Sequence, residues 1–141
     1  MILFLFYSYY GGNKMTKYGQ ATIEAVKLLE KGFCHKPKDA WDQSTKMIFG
    51  KGTASQKKGC PKGAFLGLCE EGLINGVKEG HYCDSIKNKE YAVKAVEAIK
   101  HNPELANNKS KLWNQVVGSN KAQNNQMDVV IALWERGYIN Y

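Results

Sequence analysis

From Tyr18 onward the apolar residues of this chain recur at helical spacing. Tyr18, Ala21, Thr22, Ala25, Leu28 and Leu29 fall on i, i+3, i+4, i+7 positions, which predicts a helix with one inward face, opening just after the N-cap residue Thr16. Ala40, Trp41, Ser44, Met47 and Ile48 form a second stripe after Pro37, which suits a first helical turn, and the stripe stops at Gly50. A third opens at Pro61 and carries Ala64, Phe65, Leu68 and Cys69; a fourth, capped by Asn88, carries Ala92, Ala95, Val96 and Ile99 and is stopped by Asn102-Pro103. Leu112, Trp113, Val116 and Val117 mark a short fifth helix, and Met127, Val130, Ile131 and Trp134 a last one. Asn125 with Asp128 three residues on resembles a capping box for that last helix. No segment shows sustained period-two alternation, and no Asn-Gly or Asp-Gly turn joins two β-like runs. The expected fold is all-α: a single compact domain of five to six short helices.

One local pattern returns three times, in Leu28-Leu29-Glu30-Lys31-Gly32-Phe33, Leu68-Cys69-Glu70-Glu71-Gly72-Leu73 and Leu133-Trp134-Glu135-Arg136-Gly137-Tyr138. Each reads as a helix ending in a left-handed glycine with an apolar residue beside it. The glycines are separated by 40 and then 65 residues, so this is not a regular solenoid repeat. Glu30, Glu70 and Glu135 each fall in a last turn, where a negative charge opposes the helix dipole by about 0.3–1 kcal/mol. Their recurrence predicts a partner for each, such as a lysine or a neighbouring helix N-terminus. The sharper alternative gathers the three acids in one acid/base or metal site.

Length and charge narrow the picture. The chain has 141 residues with 43% hydrophobic and 23% charged, enough for one domain with its own core. Its net charge of +7 disfavours a mimic of DNA or an acidic substrate and favours a polyanionic partner. Met1–Tyr10 is an apolar run about half the length of a membrane span, and it lacks the basic start and small-residue cleavage site of a signal peptide. Gly11-Gly12-Asn13-Lys14-Met15 can be encoded with a ribosome-binding sequence ahead of an ATG. This favours Met15 as the start, residues 1–14 as a translated leader or disordered arm outside the fold, and 15–141 as the helical domain, with a charge of +6 once Lys14 is removed. A terminal hydrophobic arm and a weak membrane or export segment are the other readings of residues 1–14. Without an export signal, the expected location is cytoplasmic, with no membrane association, and Cys34, Cys60, Cys69 and Cys83 are expected as free thiols.

The most unusual stretch is Gly50–Gly63, GKGTASQKKGCPKG, which joins two predicted helices. Seven lysines and two aspartates between Lys36 and Lys62 place most of the excess charge within 27 residues. Lys51, Lys57, Lys58 and Lys62 supply positive charge, and Gly59 with the following helix start supplies backbone N–H groups to an anion. These five residues are the candidate phosphate-binding site; a solvated basic loop is the bland alternative. The nucleotide-binding GxxxxGK[ST] loop is absent, and the long basic connection does not fit a helix-turn-helix. Lys109, Lys111 and Lys121 form a second, weaker basic segment.

Cys60, between Lys58 and Lys62 at a helix start, is a weak candidate nucleophile. It would need a base, and none of His35, His81 and His101 lies at a recognised spacing from it. Cys34-His35 and His81-x-Cys83 lack the paired spacing of structural zinc, so no metal and no cofactor is expected. The three tryptophans read as packing, while Tyr82, Tyr91 and Tyr138 could offer bases a stacking surface.

The segments SQKKGCPKGAFLGLCEEGL (Ser55–Leu73), NKEYAVKAVE (Asn88–Glu97) and QMDVVIALWERG (Gln126–Gly137) resemble a family of small uncharacterised bacterial and phage-borne proteins, over nearly all of 15–141. That resemblance brings no activity and no site residue with it. The leading expectation is a small basic protein that binds a nucleic-acid phosphate backbone with little sequence specificity, as an accessory protein of a phage or mobile element. A protein-interaction module, acting as inhibitor or adaptor of a host protein, is the first alternative. A small enzyme using Cys60 is the second; a non-enzyme is favoured.

Overall fold

Local chemistry sets most helix boundaries. In a computed structural model that describes residues 9–10, 13–118 and 121–140, α1 (Lys17–Glu30) starts where Thr16 Oγ1 accepts the Gly19 N–H at 3.1 Å. Pro37 opens α2 (Pro37–Phe49), and Thr53 caps the one-turn α3 (Ala54–Lys57) by accepting the Gln56 N–H at 3.2 Å. Then follow α4 (Gly59–Glu70), α5 (Ile86–His101), a 3₁₀ turn over Pro103–Asn107, α6 (Lys109–Val117) and α7 (Gln126–Glu135). Ahead of α1, Tyr9–Tyr10 and Asn13–Lys14 pair as two-residue antiparallel strands, a pairing the periodicity does not predict; the rest of the expected leader lies outside the described residues. The domain is otherwise helical, as its periodicity predicts.

Several details depart from the sequence reading. α4 starts at Gly59, two residues before Pro61, because a proline is tolerated anywhere in a first turn. α5 starts at Ile86, and Asn88 does not cap it: its side chain donates to Ser85 Oγ and accepts from Gln126 Nε2. Asn125 does precede α7, in the left-handed conformation (φ +71°), yet it caps no backbone N–H; its Nδ2 donates to Asp128 Oδ2 at 2.7 Å. Met47, expected inside, is 49% exposed.

The three recurrent helix ends share one geometry. Gly32, Gly72 and Gly137 have φ of +75°, +71° and +74°. In each, the N–H after the glycine returns to the leucine five residues earlier: Phe33 to Leu28, Leu73 to Leu68 and Tyr138 to Leu133, at 3.0, 3.0 and 2.9 Å. The likeness of the second and third copies continues through Ile74-Asn75 and Ile139-Asn140, and these segments pair. Ile74 and Ile139 form an antiparallel bridge, with Asn75 N–H donating to Tyr138 O and Asn140 N–H to Leu73 O, both at 2.8 Å. The arrangement is two-fold in character: Asn75 Nδ2 donates to Gly137 O and Asn140 Nδ2 to Gly72 O.

The core gathers around α4, which is buried from Gly63 to Cys69 and packs on α2, α5 and α7, while α1 packs on α2 and α7. Trp41 and Phe65 stack at its centre with ring centroids 5.2 Å apart. The α4–α5 contact is tight because α4 presents glycine to it. A Cβ on Gly67 would lie 2.6 Å from Lys89 Cβ and 2.7 Å from its Cα, and one on Gly63 would lie 2.9 Å from Asn88 Cβ. So close an approach lets Lys89 reach Glu70 Oε2 at 2.6 Å and Glu71 Oε2 at 3.1 Å. Glu70 Oε1 meanwhile accepts the backbone N–H groups of Tyr82 (2.8 Å) and Cys83 (3.0 Å), pinning the connection from α4 to α5. Lys89 first, and then these two N–H groups, hold the Glu70 carboxyl below its usual range, at about 2.

Three outcomes test this construction. Gly67→Ala should destabilise the domain by about 2–3 kcal/mol, since the methyl meets backbone rather than a movable side-chain end. Gly137→Ala, where a Cβ meets nothing within 4 Å, should cost only about 1 kcal/mol through its left-handed backbone. Urea midpoints measure both, and equal losses would contradict the packing argument. The folded pKa of Glu70 lies below its unfolded value near 4.5. Its contribution to stability is therefore complete above that value and disappears as pH falls from about 4.5 towards 2. Glu70→Gln should lower stability by about 1–2 kcal/mol at pH 7, and the deficit should narrow as pH falls below about 4.5 and close only near pH 2; a deficit independent of pH would refute this role for the charge.

Candidate functional site

The basic segment between α2 and α4 is folded rather than a loose connection. Gly50 and Gly52 take φ of +94° and +80°, turning the chain out of α2 and into α3. Gln56, the buried residue of α3, donates through Nε2 to Thr45 Oγ1 (3.3 Å) and accepts the Gly52 N–H through Oε1 (3.2 Å). The Tyr18 hydroxyl donates to Ser55 O at 2.9 Å, tying α3 to α1. The single loop expected here therefore holds an extra helical turn, because Thr53 and Gln56 satisfy its backbone from their side chains.

The five candidate residues have different surroundings. Lys51 lies exposed in the turn before α3, and Lys57 is exposed at the end of α3. Lys58 occupies the position before α4 and supplies no side-chain cap. Its ammonium donates to Asn125 Oδ1 at 2.7 Å and stands 5.9 Å from the Tyr18 ring centroid. Lys62, one turn along α4 from Lys58, pairs with Asp42 at 2.8 Å. Gly59 is exposed at the first position of α4, with nothing within 4 Å of where a Cβ would be. Lys57, Lys58, Gly59 and Lys62 thus share the start of α4, whereas Lys51 belongs to the turn before α3.

Asp42, Tyr18 and Asn125, which orient these lysines, were not singled out for this site by the sequence. Lys58 and Asn125 are 67 residues apart in the chain, and no local spacing announces such a pair. Asn125 passes the interaction on to Asp128, whose side chain is 2% exposed and which also accepts from Lys109 at 2.7 Å. Within the second basic segment, then, Lys109 is committed to a buried carboxylate. Lys121 donates to Tyr91 Oη at 2.7 Å and lies 5.2 Å from that ring, while Lys111 is exposed.

The other sequence candidates are dispersed. Cys60 is half-buried in the first turn of α4, and among the described residues no histidine hydrogen-bonds to it. Burial pushes the thiols of Cys34, Cys69 and Cys83 upward, away from the thiolate. All four cysteines are free. Glu30 accepts from the Tyr138 hydroxyl at 3.3 Å, Glu70 holds the α4–α5 connection, and Glu135 is raised by burial, with Arg136 acting against that rise. Among the described residues no three His, Cys, Asp or Glu side chains gather in a group that could hold a metal ion. Of the tyrosines proposed for stacking, Tyr82 donates to Lys78 O, and Tyr91 packs edge-on against Trp113 at 5.2 Å. Phe33, Met47 and Ile86 are the large apolar side chains left exposed among the described residues; single exposed apolar residues are ordinary on a soluble surface.

Among the described residues no helix is long and apolar enough to cross a membrane. No curated protein and no solved structure matches the chain. A family of unknown function (DUF6979) does match it, over residues 15–140, and the chain belongs to that family.

Proposed function

We propose that this is a small basic helical protein that binds a nucleic-acid phosphate backbone, with little sequence specificity, at the start of α4. The observation that carries the reading is the grouping of Lys57, Lys58 and Lys62 around a helix N-terminus that no side chain caps and whose first residue, Gly59, is open to approach. The first N–H groups of an α-helix lack intrahelical acceptors and sit at the positive end of its dipole; in α4 these are the groups of Gly59 and Cys60, since Pro61 has no N–H. Lysines add charge without fixing geometry, which suits a repeating backbone better than a single shaped ligand.

The pairing of Lys62 with Asp42 does not oppose this. Their side chains are 27% and 31% exposed, so both ions keep contact with water and the Lys62 ammonium can turn from Asp42 to a phosphate oxygen, one charge-assisted partner replacing another. Arg136 is the chain's single arginine and lies at the end of α7, so the bidentate guanine contacts that arginine makes are not available at α4. Weak sequence preference follows. A role as an accessory protein of a phage or mobile element is consistent with such binding.

Fluorescence anisotropy of the full chain with labelled single- and double-stranded DNA and RNA across a salt series tests the proposal. Binding should weaken steeply with salt, and changing Lys57, Lys58 and Lys62 together to alanine should reduce the log–log salt slope by about three units at most. Absence of binding at about 50 mM salt, or binding that the triple change leaves intact, would overturn it. Salt-tolerant capture of a protein instead would favour the interaction-module reading.

A further inference from the structure

A second recess lies apart from the lysine site, between the start of α1, the 3₁₀ turn and α7. It is open to solvent on one side and has a volume of about 170 Å³. One wall is a stripe of α7: Asp128, Ile131, Ala132 and Glu135 stand at i, i+3, i+4 and i+7 and so share a face. Met15, Thr16, Ala106 and Asn107 complete the lining, so apolar surface from Met15, Ala106, Ile131 and Ala132 is mixed with polar groups.

Its two ends differ in charge. At the start of α7, Asp128 is almost fully buried and already bound to Lys109 and Asn125, which leaves that end close to neutral. Glu135 stands at the other end, in the last turn of α7, where the helix dipole is also negative. Burial disfavours its carboxylate, and the neighbouring Arg136 offsets this only in part. The charged groups lining the recess are Lys109, Asp128 and Glu135, a net of one negative charge on a protein of net +7.

We propose that this recess binds a small organic cation, a primary ammonium carried on a short alkyl chain. The ammonium meets Glu135 and supplies the positive partner that the half-buried carboxylate lacks in the lining, while the alkyl chain lies along Ile131 and Ala132 against Met15 and Ala106. Anions are rejected at the Glu135 end, and the Lys109–Asp128 pair closes the other. The recess shares no residue with the start of α4, although Asn125 links its Asp128 to Lys58, and its test does not depend on the phosphate-backbone reading.

Titration of the full chain with n-pentylammonium, followed by calorimetry or by NMR shifts of the Ile131 and Ala132 methyl groups, tests the proposal. Saturable binding is expected, with pentanoate and 1-pentanol at least about tenfold weaker, the weight of one charged contact. Glu135→Gln should lose about tenfold for the amine while keeping the helical circular dichroism. Ile131→Phe, which retains Glu135 and fills the recess, should abolish binding. No saturation at millimolar amine, equal affinity for the three probes, or unchanged affinity in either folded variant would overturn the proposal.

Discussion

The close approach of α4 and α5 is the constraint on which much else in this domain depends. Gly67 lets the backbone of Lys89 lie directly against α4, and from there its ammonium pairs with both Glu70 and Glu71. Glu70 can then hold the backbone of Tyr82 and Cys83 with its other oxygen. A residue type chosen for its lack of a side chain thus sets the position of an ion pair, and the ion pair sets the path of a long connection. The same packing fixes α4 as the central helix, so its N-terminal turn is presented on a rigid support.

The helical periods were legible because amphipathic helices bury one stripe, and the stripes of α4 and α5 are buried at every expected position: Ala64, Phe65, Leu68 and Cys69; Ala92, Ala95, Val96 and Ile99. The left-handed glycine ends were legible too, since the glycine and its apolar neighbour are both local. What escaped was non-local. Asn88 and Asn125 look like caps by spacing, yet each spends its side chain on partners brought by another element or by its own neighbour Asp128. The extension of the recurrent motif into Ile74-Asn75 and Ile139-Asn140 was a visible signal, and the structure shows its use in joining the two ends.

The candidate site was legible in part for the same reason. Composition marks the lysines of residues 50–63, and helix logic marks Gly59, but neither shows which ammonium groups are tethered. Lys58 reaches an asparagine that is itself tied to a buried aspartate, so a surface cation is linked through two side chains to the interior. The recess along α7 left no trace in the sequence beyond the recurrence of Glu135, because its opposite wall comes from the start of α1 and the turn before α6.

The clasp between Ile74 and Ile139 also bears on how the chain folds. Its side-chain contacts span 62 and 68 residues, a closure whose entropy must be met before the paired segments reward it. Helix pairs α1–α2 and α4–α5 lie closer in sequence, so the clasp is the costlier closure of the three. The clasp thus joins two helix ends more than 60 residues apart through four hydrogen bonds and one buried isoleucine pair, a small unit whose opening would leave every helix intact.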